Sequence, residues 1–504
     1  MNTKLIRGDR PPAGRHFLSH SRAFGGMELT YNSNIDKTLG RLVSAVLAGY
    51  FLYFAIPALN SQWATDDPMN IGFYWMRGFP GNLWDNLRFW TTAYRPMGSL
   101  FYMPIYYFSN LNPMPYRVAM MVILAVNLYL SYRVAEMLAG SKPVAALTTF
   151  FVCAHAGMLA IYYNTSQLYD VLTYLFLMIM MFSYIRFRRG GKGLTLGQSA
   201  IVICAYIAAL NSKEIAFTGA GWVLVYEVLY HRPWKLRVPA MLMAIAVIYS
   251  AGKFLGPNPL WKQGGYLLEV TPHRFFLNMV MYVNDLFYTG VFHNSRGVLI
   301  AWGLLIVLCA IARKKELWWA AFVISTAMLP VAFTIQARTG ASLYVPLFGF
   351  ALAASVVAAG FFPRRELAWA AVAIVAAYWG YQTVQLWQER IHFFVGDHRM
   401  TWSAITQVRE LPAKPRPHNR VLFLNNPFED RWDMWFISSL LWNDHTIDVK
   451  LANHMTPPPG AAEIDQFDWV LTFEGDRLRV IRSRYGLFVA HRRGAGGYLS
   501  PRVP

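Results

Sequence analysis

The amino-acid sequence predicts an all-α polytopic membrane protein with about eleven transmembrane helices, followed by a small C-terminal α/β domain. Of its 504 residues, 55% are hydrophobic and only 14% are charged, and the mean hydropathy is +0.29. These values exclude an ordinary soluble domain. A helix needs ~20 apolar residues to cross a hydrocarbon core of ~30 Å. Runs near that length lie at 39–60, 117–138, 143–163, 168–187, 196–211, 215–230, 237–255, 297–312, 317–335, 342–362 and 366–387.

Residues 1–38 form a basic segment that we expect on the cytoplasmic side. The first apolar run starts too late and is too long for a cleaved signal peptide, so we interpret it as a signal anchor. The whole chain carries 46 Lys and Arg against 27 Asp and Glu. The basic residues lie mainly in short loops between apolar runs, so the positive-inside rule explains their excess. We therefore expect no nucleic-acid partner.

The segment 274–291 decides the predicted topology, because it is apolar but contains Asn278, Asn284 and Asp285. If it does not cross the membrane, the basic clusters at 186–189, 313–315 and 364–365 all fall on the side of the N-terminus. We therefore predict a helix lying along the outer surface. Residues 39–387 then form the membrane module. The first loop (61–116), the segment 256–296 and everything from 388 onward lie outside.

The C-terminal part, 388–504, has a different composition and is predicted to be a small extracytoplasmic α/β domain. It contains prolines at positions 412, 415, 417 and 427 and then alternating apolar residues. Residues 420–425 are typical of a strand, and 467–473 with 477–481 are typical of a hairpin. It contains no nucleotide-binding glycine loop, metal-ligand spacing or nucleophile motif.

The first external loop is rich in Trp and Tyr, which favour a membrane surface, and it opens with the adjacent carboxylates Asp66 and Asp67. Two such carboxylates repel each other, so the pair is costly near a bilayer unless a ligand or proton relieves it. Alternatively, the pair caps the following helix, for which Asp66 and Pro68 are suited. Other charged residues also stand at the predicted outer ends of spans, and their convergence favours surface chemistry.

Together these motifs resemble the GT-C superfamily of integral-membrane glycosyltransferases, especially bacterial protein mannosyltransferases and the aminoarabinose transferase of lipid A. The similarity covers about residues 39–387. The motifs are the acid pair Asp66-Asp67, the Tyr94-Arg95-Pro96 element, the Ser212-Lys213-Glu214 turn, and Arg338 before Tyr344-Val345-Pro346.

The resemblance implies transfer of a sugar from a polyprenyl-phosphate-linked donor. The acceptor hydroxyl needs a general base, and the departing lipid phosphate needs cations. We expect Asp66 or Asp67 to be catalytic, with Asp66 the first choice. We expect the phosphate to bind at Arg95, Lys213 and Arg338. The alternatives are that Arg95 snorkels, that Lys213 pairs with Glu214, and that Arg338 is an ordinary loop charge.

Three further residues are predicted to position the substrate, namely Asp170, Glu214 and Tyr344. Asp170 alternatively interacts with the dipole at its helix start. A divalent metal is a possible cofactor, and its ligands are unknown. His273 and His293 are candidates, although isolated interfacial histidines are more often structural.

The predicted function is therefore sugar transfer to an envelope glycan, lipid or protein on the external face of a bacterial inner membrane. The expected partners are the lipid-linked donor, membrane lipid and the acceptor. One alternative is an O-antigen ligase or polymerase type of enzyme. Others are a transporter, which favours polar residues near the bilayer centre, and a non-catalytic scaffold.

Overall fold

The computed structural model describes residues 33–91, 94–256, 259, 262, 267–288, 293–428, 431–475 and 477–483. The chain divides into two compact units, residues 1–45 and 46–504. Within the first unit, the described residues 33–45 are helical. Most of the predicted basic N-terminal segment lies outside the described residues, as do parts of 256–296 and the end of the C-terminal part.

Every predicted apolar run coincides with one or two helices. In chain order, the helices of the membrane module are α1 (Ser33–Leu59), α2 (Asp66–Leu87), α3 (Ser99–Ser109), α4 (Pro113–Ala139), α5 (Lys142–Cys153), α6 (Ala160–Tyr163), α7 (Leu168–Arg188), α8 (Leu196–Ser212), α9 (Gly219–Tyr230), α10 (Arg237–Leu255), α11 (Pro272–Phe287), α12 (Ser295–Ala312), α13 (Lys315–Thr326), α14 (Tyr344–Ala359) and α15 (Arg365–Arg409).

Within the described ranges, seven helices are long and apolar enough to span a membrane, and the bent pair α5–α6 makes an eighth if counted as one span. The chain is an integral membrane protein. The predicted count of eleven is not confirmed. Helices α8, α9 and α13 have 17, 12 and 12 residues, short of the ~20 that a crossing needs. The run 143–163 bends by 45° between α5 and α6.

Two spans form the interior of the membrane module. In the apolar windows of Thr165–Arg188 and Gly340–Ala359, 78% and 72% of residues are buried. In Ser295–Ala312 and Arg365–His392 the buried shares are only 11% and 17%. Lipid is as apolar as these side chains, so exposed Leu and Ile on the outer helices are expected. Helices α7 and α14 therefore pack among protein, while α12 and α15 form the rim.

The predicted surface segment 274–291 contains a helix, α11, which is not among the spanning helices. Its buried face carries Asn278, Met279, Tyr282 and Leu286. The Asn278 amide donates to the backbone oxygens of Ala332 and Thr334, at 2.9 Å each. The asparagine in this apolar helix thus satisfies backbone groups of a neighbouring loop. Residues 289–291 lie outside the described part.

The small α/β part follows α15. This helix continues without interruption past residue 387, where the membrane module was predicted to end. The elements of the small α/β part are β1 (Arg420–Phe423), α16 (Arg431–Trp442), β2 (Asp448–Leu451), α17 (Ala461–Ile464), β3 (Trp469–Glu474) and β4 (Arg477–Ser483). The sheet order is β2-β1-β3-β4. Strand β3 pairs parallel to β1 and antiparallel to β4, which confirms the predicted strand and hairpin, whereas β2 and α16 were not predicted.

Helix α16 packs directly on α2 and attaches the small α/β part to the loop 61–116. The rings of Phe73 and Phe436 meet edge to face at 4.9 Å between centroids. At Gly72 the Phe436 ring lies so close to the α2 backbone that an added methyl group would press against the ring. The glycine therefore permits this docking.

Candidate active site

A cavity of about 410 Å³ opens where five separate segments meet, at 66–70, 94–95, 166–169, 213–215 and 331–342. This volume lies within the ~300–1,000 Å³ typical of ligand sites. Five of the eight predicted site residues line it. They are Asp66, Arg95, Lys213, Glu214 and Arg338. The structure thus brings together charged residues that are up to 272 positions apart in sequence (338 − 66).

Only one of the two adjacent carboxylates lines this cavity. Asp66 is exposed at the start of α2, whereas Asp67 is completely buried. Consecutive helical residues point about 100° apart, which sends the two side chains in different directions. The Asp67 carboxylate accepts hydrogen bonds from Thr165 Oγ1 at 2.6 Å and from the Ala64 N–H at 3.0 Å.

Asp67 also forms a buried ion pair with Arg117 on α4, at 3.4 Å. Burial raises the pKa of Asp67, and the Arg117 charge and the Thr165 and Ala64 hydrogen bonds oppose that rise. The side chain therefore holds the start of α2 against α4 and the segment that precedes α7. This role is structural, but it differs from the helix capping that was the alternative for the pair, because the N-cap position of α2 is Thr65.

A hydrogen-bonded network joins the start of α2 to the Arg95 loop. Asn70 donates to the Asp66 carbonyl oxygen at 3.0 Å and accepts from the Tyr169 hydroxyl at 2.7 Å. The Tyr74 hydroxyl lies 3.0 Å from that of Tyr169 and donates to the Arg95 carbonyl oxygen at 2.7 Å. Asn70 and Tyr74 follow Asp66 at helical spacing, so all three lie on one face of α2.

Arg95 is held in place by its backbone and by two aromatic rings. Its φ of 44° and ψ of 55° are left-handed, which is uncommon for arginine. The guanidinium carbon lies 4.6 Å from the Tyr94 ring centroid and 5.0 Å from that of Tyr169, within cation–π range. Nη2 is 3.3 Å from Glu214 Oε1. These contacts tie Arg95 to the cavity wall and disfavour simple snorkelling.

The turn after Arg95 depends on a residue without a side chain. A methyl group on Gly98 would lie 2.5 Å from the Tyr74 hydroxyl oxygen and 2.6 Å from Tyr169 Cε1. The two atoms belong to Tyr74 and Tyr169, and neither side chain can move away without breaking the hydrogen bonds described above. Gly98 thus allows α3 to begin against the two tyrosines.

Lys213 forms an ion pair with Asp170 and not, as one alternative had it, with Glu214. Its Nζ lies 2.7 Å from both carboxylate oxygens of Asp170 and 3.1 Å from Ser342 Oγ. Burial lowers the pKa of Lys213, and the Asp170 charge opposes that shift. Asp170 itself is 1% exposed and reaches the cavity only through this lysine.

Arg338 enters the cavity from the loop between α13 and α14. Asp285 of α11 holds this loop in place. Its Oδ2 accepts a hydrogen bond from the Gly340 N–H at 3.1 Å, and its Oδ1 lies 3.8 Å from Nη1 of Arg390. Burial raises the pKa of Asp285 against the opposing Gly340 and Arg390 contacts. Asp285 is one of the polar residues from which a surface helix was predicted. Through these contacts it anchors the loop that carries Arg338.

Tyr344 does not line the cavity. It is 1% exposed and packs against Tyr174, with 4.5 Å between ring centroids. Ser342, two residues earlier, occupies the lining instead.

The predicted metal ligands do not come together in the described part of the chain. His273 and His293 are both exposed, and no group of three or more His, Cys, Asp or Glu side chains in the described ranges could hold a metal ion.

Several lining residues were missed from the sequence. Asn70, Tyr169 and Ser342 carry no charge, so their residue types alone did not set them apart from other polar residues near span ends. Their spacing was a usable signal, because Asn70 and Ser342 each stand four residues after a predicted site residue and Tyr169 precedes Asp170.

No family model and no curated protein matches the sequence, but solved structures are similar to it. One is a crystal structure of ArnT from Cupriavidus metallidurans bound to undecaprenyl phosphate. The aligned region covers 82% of this chain and 86% of the ArnT chain, at 13% sequence identity and a TM-score of 0.46. A second is the crystal structure of the same ArnT in the apo state. The aligned region covers 87% of this chain and 93% of that ArnT chain, at 13% sequence identity and a TM-score of 0.44. ArnT is a GT-C glycosyltransferase, the superfamily that the motifs resemble. At this identity and TM-score, the likenesses bear on neither substrate nor mechanism.

Proposed function

We propose that this chain is a membrane glycosyltransferase that moves a sugar from a polyprenyl-phosphate carrier to an envelope acceptor. The observation that carries the proposal is the single cavity that joins one exposed carboxylate, Asp66, to three cations, Arg95, Lys213 and Arg338. A glycosyl transfer from a lipid phosphate requires this combination of a base and phosphate-binding cations.

In the proposed reaction, Asp66 accepts the proton of the acceptor hydroxyl while the hydroxyl oxygen bonds to the anomeric carbon of the donor. The bond from that carbon to the phosphate oxygen breaks, and the lipid phosphate departs with the electron pair. Asp66 is preferred to Asp67 because Asp66 is exposed and lines the cavity, whereas Asp67 is completely buried.

The cations differ in how firmly protein carboxylates hold them. Charged hydrogen bonds between nitrogen and oxygen are typically ~2.7–2.9 Å long. The Lys213 contacts to Asp170 are within this range at 2.7 Å, but the Arg95 contact to Glu214 is longer, at 3.3 Å. We assign direct phosphate binding to Arg95 and Arg338, which both line the cavity and whose planar guanidinium groups match the geometry of a phosphate. Lys213 supplies a positive charge at a position fixed by Asp170.

We further propose that the cavity and the C-terminal part face the outside of a bacterial inner membrane, as the distribution of basic loops predicts. The sugar, the acceptor and any need for a divalent metal are matters for assay. On this proposal the donor lipid reaches the cavity laterally from the bilayer.

The test uses membranes that contain the protein and a labelled pool of polyprenyl-phosphate sugars. We expect label to leave the lipid fraction with the unmodified protein. Asp66→Asn should lower that rate by ~10²–10⁴, the usual contribution of a general base. Asp85→Asn is the matched control, because Asp85 also lies on α2 but pairs with the exposed Arg77 outside the cavity.

Equal label loss in Asp66→Asn and Asp85→Asn membranes, with equal amounts of folded protein, would contradict the assignment of the base. Movement of intact lipid-linked sugar across the membrane without loss of label from lipid would favour the transporter alternative.

A further inference from the structure

A second pocket, of about 810 Å³, lies between the middle of α2, the end of α3, the last part of α15 and the end of α16. None of its lining residues belongs to the cavity described above. Helix α2 runs nine residues from Asp66 in the cavity to Trp75 in the pocket, and a rise of 1.5 Å per residue gives a separation of about 14 Å. The pocket therefore cannot hold the reacting atoms.

Aromatic side chains form much of the wall of this pocket. Trp75, Tyr106, Tyr107 and Trp402 line it. Trp75 and Trp402 are half-buried, and Tyr107 is 62% exposed. Partly exposed aromatic faces are suited to the C–H faces of pyranose rings, which stack on them while the hydroxyls remain in contact with water. A purely apolar ligand would not require the polar groups that accompany these rings.

Amide side chains stand beside the rings. Asn110 follows α3 and Asn443 follows α16, with left-handed φ values of 49° and 56°, and both line the pocket together with Asn112. Each amide offers both a donor and an acceptor, the pair of functions that a sugar diol also presents.

Two cations complete the lining, and no carboxylate among the described residues faces them. The Arg409 guanidinium lies over the Trp402 ring, 5.7 Å from its centroid. Lys414 donates to the Leu441 carbonyl oxygen at 3.4 Å. In the described part of the chain neither has an ion-pair partner within 4.0 Å, unlike Arg95 and Lys213. Arg409 is therefore available for a bidentate contact with an anionic group.

We infer that this pocket binds an acidic saccharide, a part of the acceptor glycan that lies away from the reacting hydroxyl. The aromatic rings hold the sugar faces, the amides bind the hydroxyls, and Arg409 with Lys414 binds the negative charge. The identification of this saccharide with the acceptor rests on the proposed function, but the binding itself does not. Glycans that carry a carboxylate or phosphate then bind at two points, which favours them over neutral acceptors.

The test measures equilibrium binding of fluorescently labelled tetragalacturonate to the full-length protein in detergent micelles, with neutral maltotetraose for comparison. We expect tetragalacturonate to bind more tightly than maltotetraose. The Arg409→Gln/Lys414→Gln double variant should weaken tetragalacturonate binding about tenfold or more, because each substitution removes a charged hydrogen-bond donor. Trp402→Ala should also weaken it, and Trp402→Tyr should restore part of the loss.

Two control variants separate this inference from the proposed function. Arg477→Gln removes an exposed cation of β4 that lines neither site, and Asp66→Asn removes the proposed base. Neither should change tetragalacturonate binding. All variants are compared only where size-exclusion profiles and thermal midpoints match the unmodified protein. Arg409 and Lys414 are exposed, so we expect their replacement to leave the fold intact.

Several results would overturn the inference. They are an absence of tetragalacturonate binding to the unmodified protein, equal affinity for maltotetraose, and unchanged binding in the double variant. Displacement of the saccharide by phosphatidylglycerol nanodiscs, but not by phosphatidylcholine nanodiscs, would identify the pocket as a lipid-headgroup site instead. Loss of sugar transfer in Asp66→Asn, with binding intact, would support the two sites separately.

Discussion

Lys213 and Asp170 form a symmetric ion pair, with the lysine Nζ 2.7 Å from each carboxylate oxygen and the lysine on the wall of the cavity. The carboxylate at the start of a spanning helix thus holds a cation at the cavity wall. Removal of one partner from such a pair typically costs ~3–5 kcal/mol, whereas replacement of both can be nearly neutral. This difference allows the structural and functional parts of the pair to be separated.

The first prediction concerns this pair. Asp170→Asn should destabilise the protein by ~3–5 kcal/mol, because it leaves the Lys213 charge without its carboxylate. Asp170→Asn/Lys213→Met should recover most of that stability in denaturation measured in micelles. Sugar transfer should remain low in the double variant, since the cation is still absent. Full recovery of transfer along with stability would show that Lys213 has no part in the reaction.

The second prediction follows from the lowered pKa of Lys213. Its cation is present below that pKa and is lost as the pH rises through it, so kcat/KM should fall in alkaline solution before pH 10.5, the ordinary value. Lys213→Arg should move this fall to higher pH, because a guanidinium stays charged. The measurement is the pH profile of kcat/KM for both proteins. If kcat/KM of both proteins falls at the same alkaline pH, a group other than Lys213 causes the fall.

The third prediction separates the two adjacent carboxylates. Asp67→Ala should lower the free energy of unfolding by ~3–5 kcal/mol, because the buried Arg117 loses its counter-charge. Asp85→Asn, which affects an ion pair with an exposed arginine, should change it by less than ~1 kcal/mol. Denaturant titrations in micelles give both values. A stable Asp67→Ala protein that has lost transfer would instead assign the catalytic role to Asp67.

The fourth prediction concerns the docking of α16 on α2. Gly72→Ala should destabilise the protein by ~1–3 kcal/mol, because the added methyl group presses on the Phe436 ring. Gly396→Ala is the control, since its methyl group would meet no atom within 4 Å and helices favour alanine. Thermal midpoints compare the two variants. Equal midpoints would show that Phe436 moves aside at little cost.

The sequence was sufficient to locate the long apolar helices and the charged residues that line the cavity. Apolar runs of definite length predict helices, and the cost of charge near hydrocarbon places Arg95, Lys213 and Arg338 at helix ends on a common side. The number of spans was not predictable in the same way. Composition does not reveal that the run 143–163 bends between α5 and α6, or that 317–335 stops being α-helical after Thr326.

Contacts between residues far apart in the chain also could not be predicted from the sequence. The choice of Asp170 over Glu214 as the partner of Lys213 depends on how α7 packs against α8, and adjacency in sequence favoured the wrong residue. The separation of Asp66 from Asp67 depends on Thr165 and Arg117, 98 and 50 residues from Asp67. The pocket beside α3 is built by α16, an element that no periodicity in the sequence predicted.

The most direct test of the central claim is a single-turnover reaction with purified protein in excess over a labelled polyprenyl-phosphate sugar and an acceptor. We predict that Asp66→Asn binds the donor with unchanged affinity but releases lipid phosphate ~10²–10⁴ times more slowly. Arg338→Gln should weaken donor binding in the same experiment. Release of lipid phosphate by Asp66→Asn at the rate of the unmodified protein would contradict the claim that this carboxylate is the base.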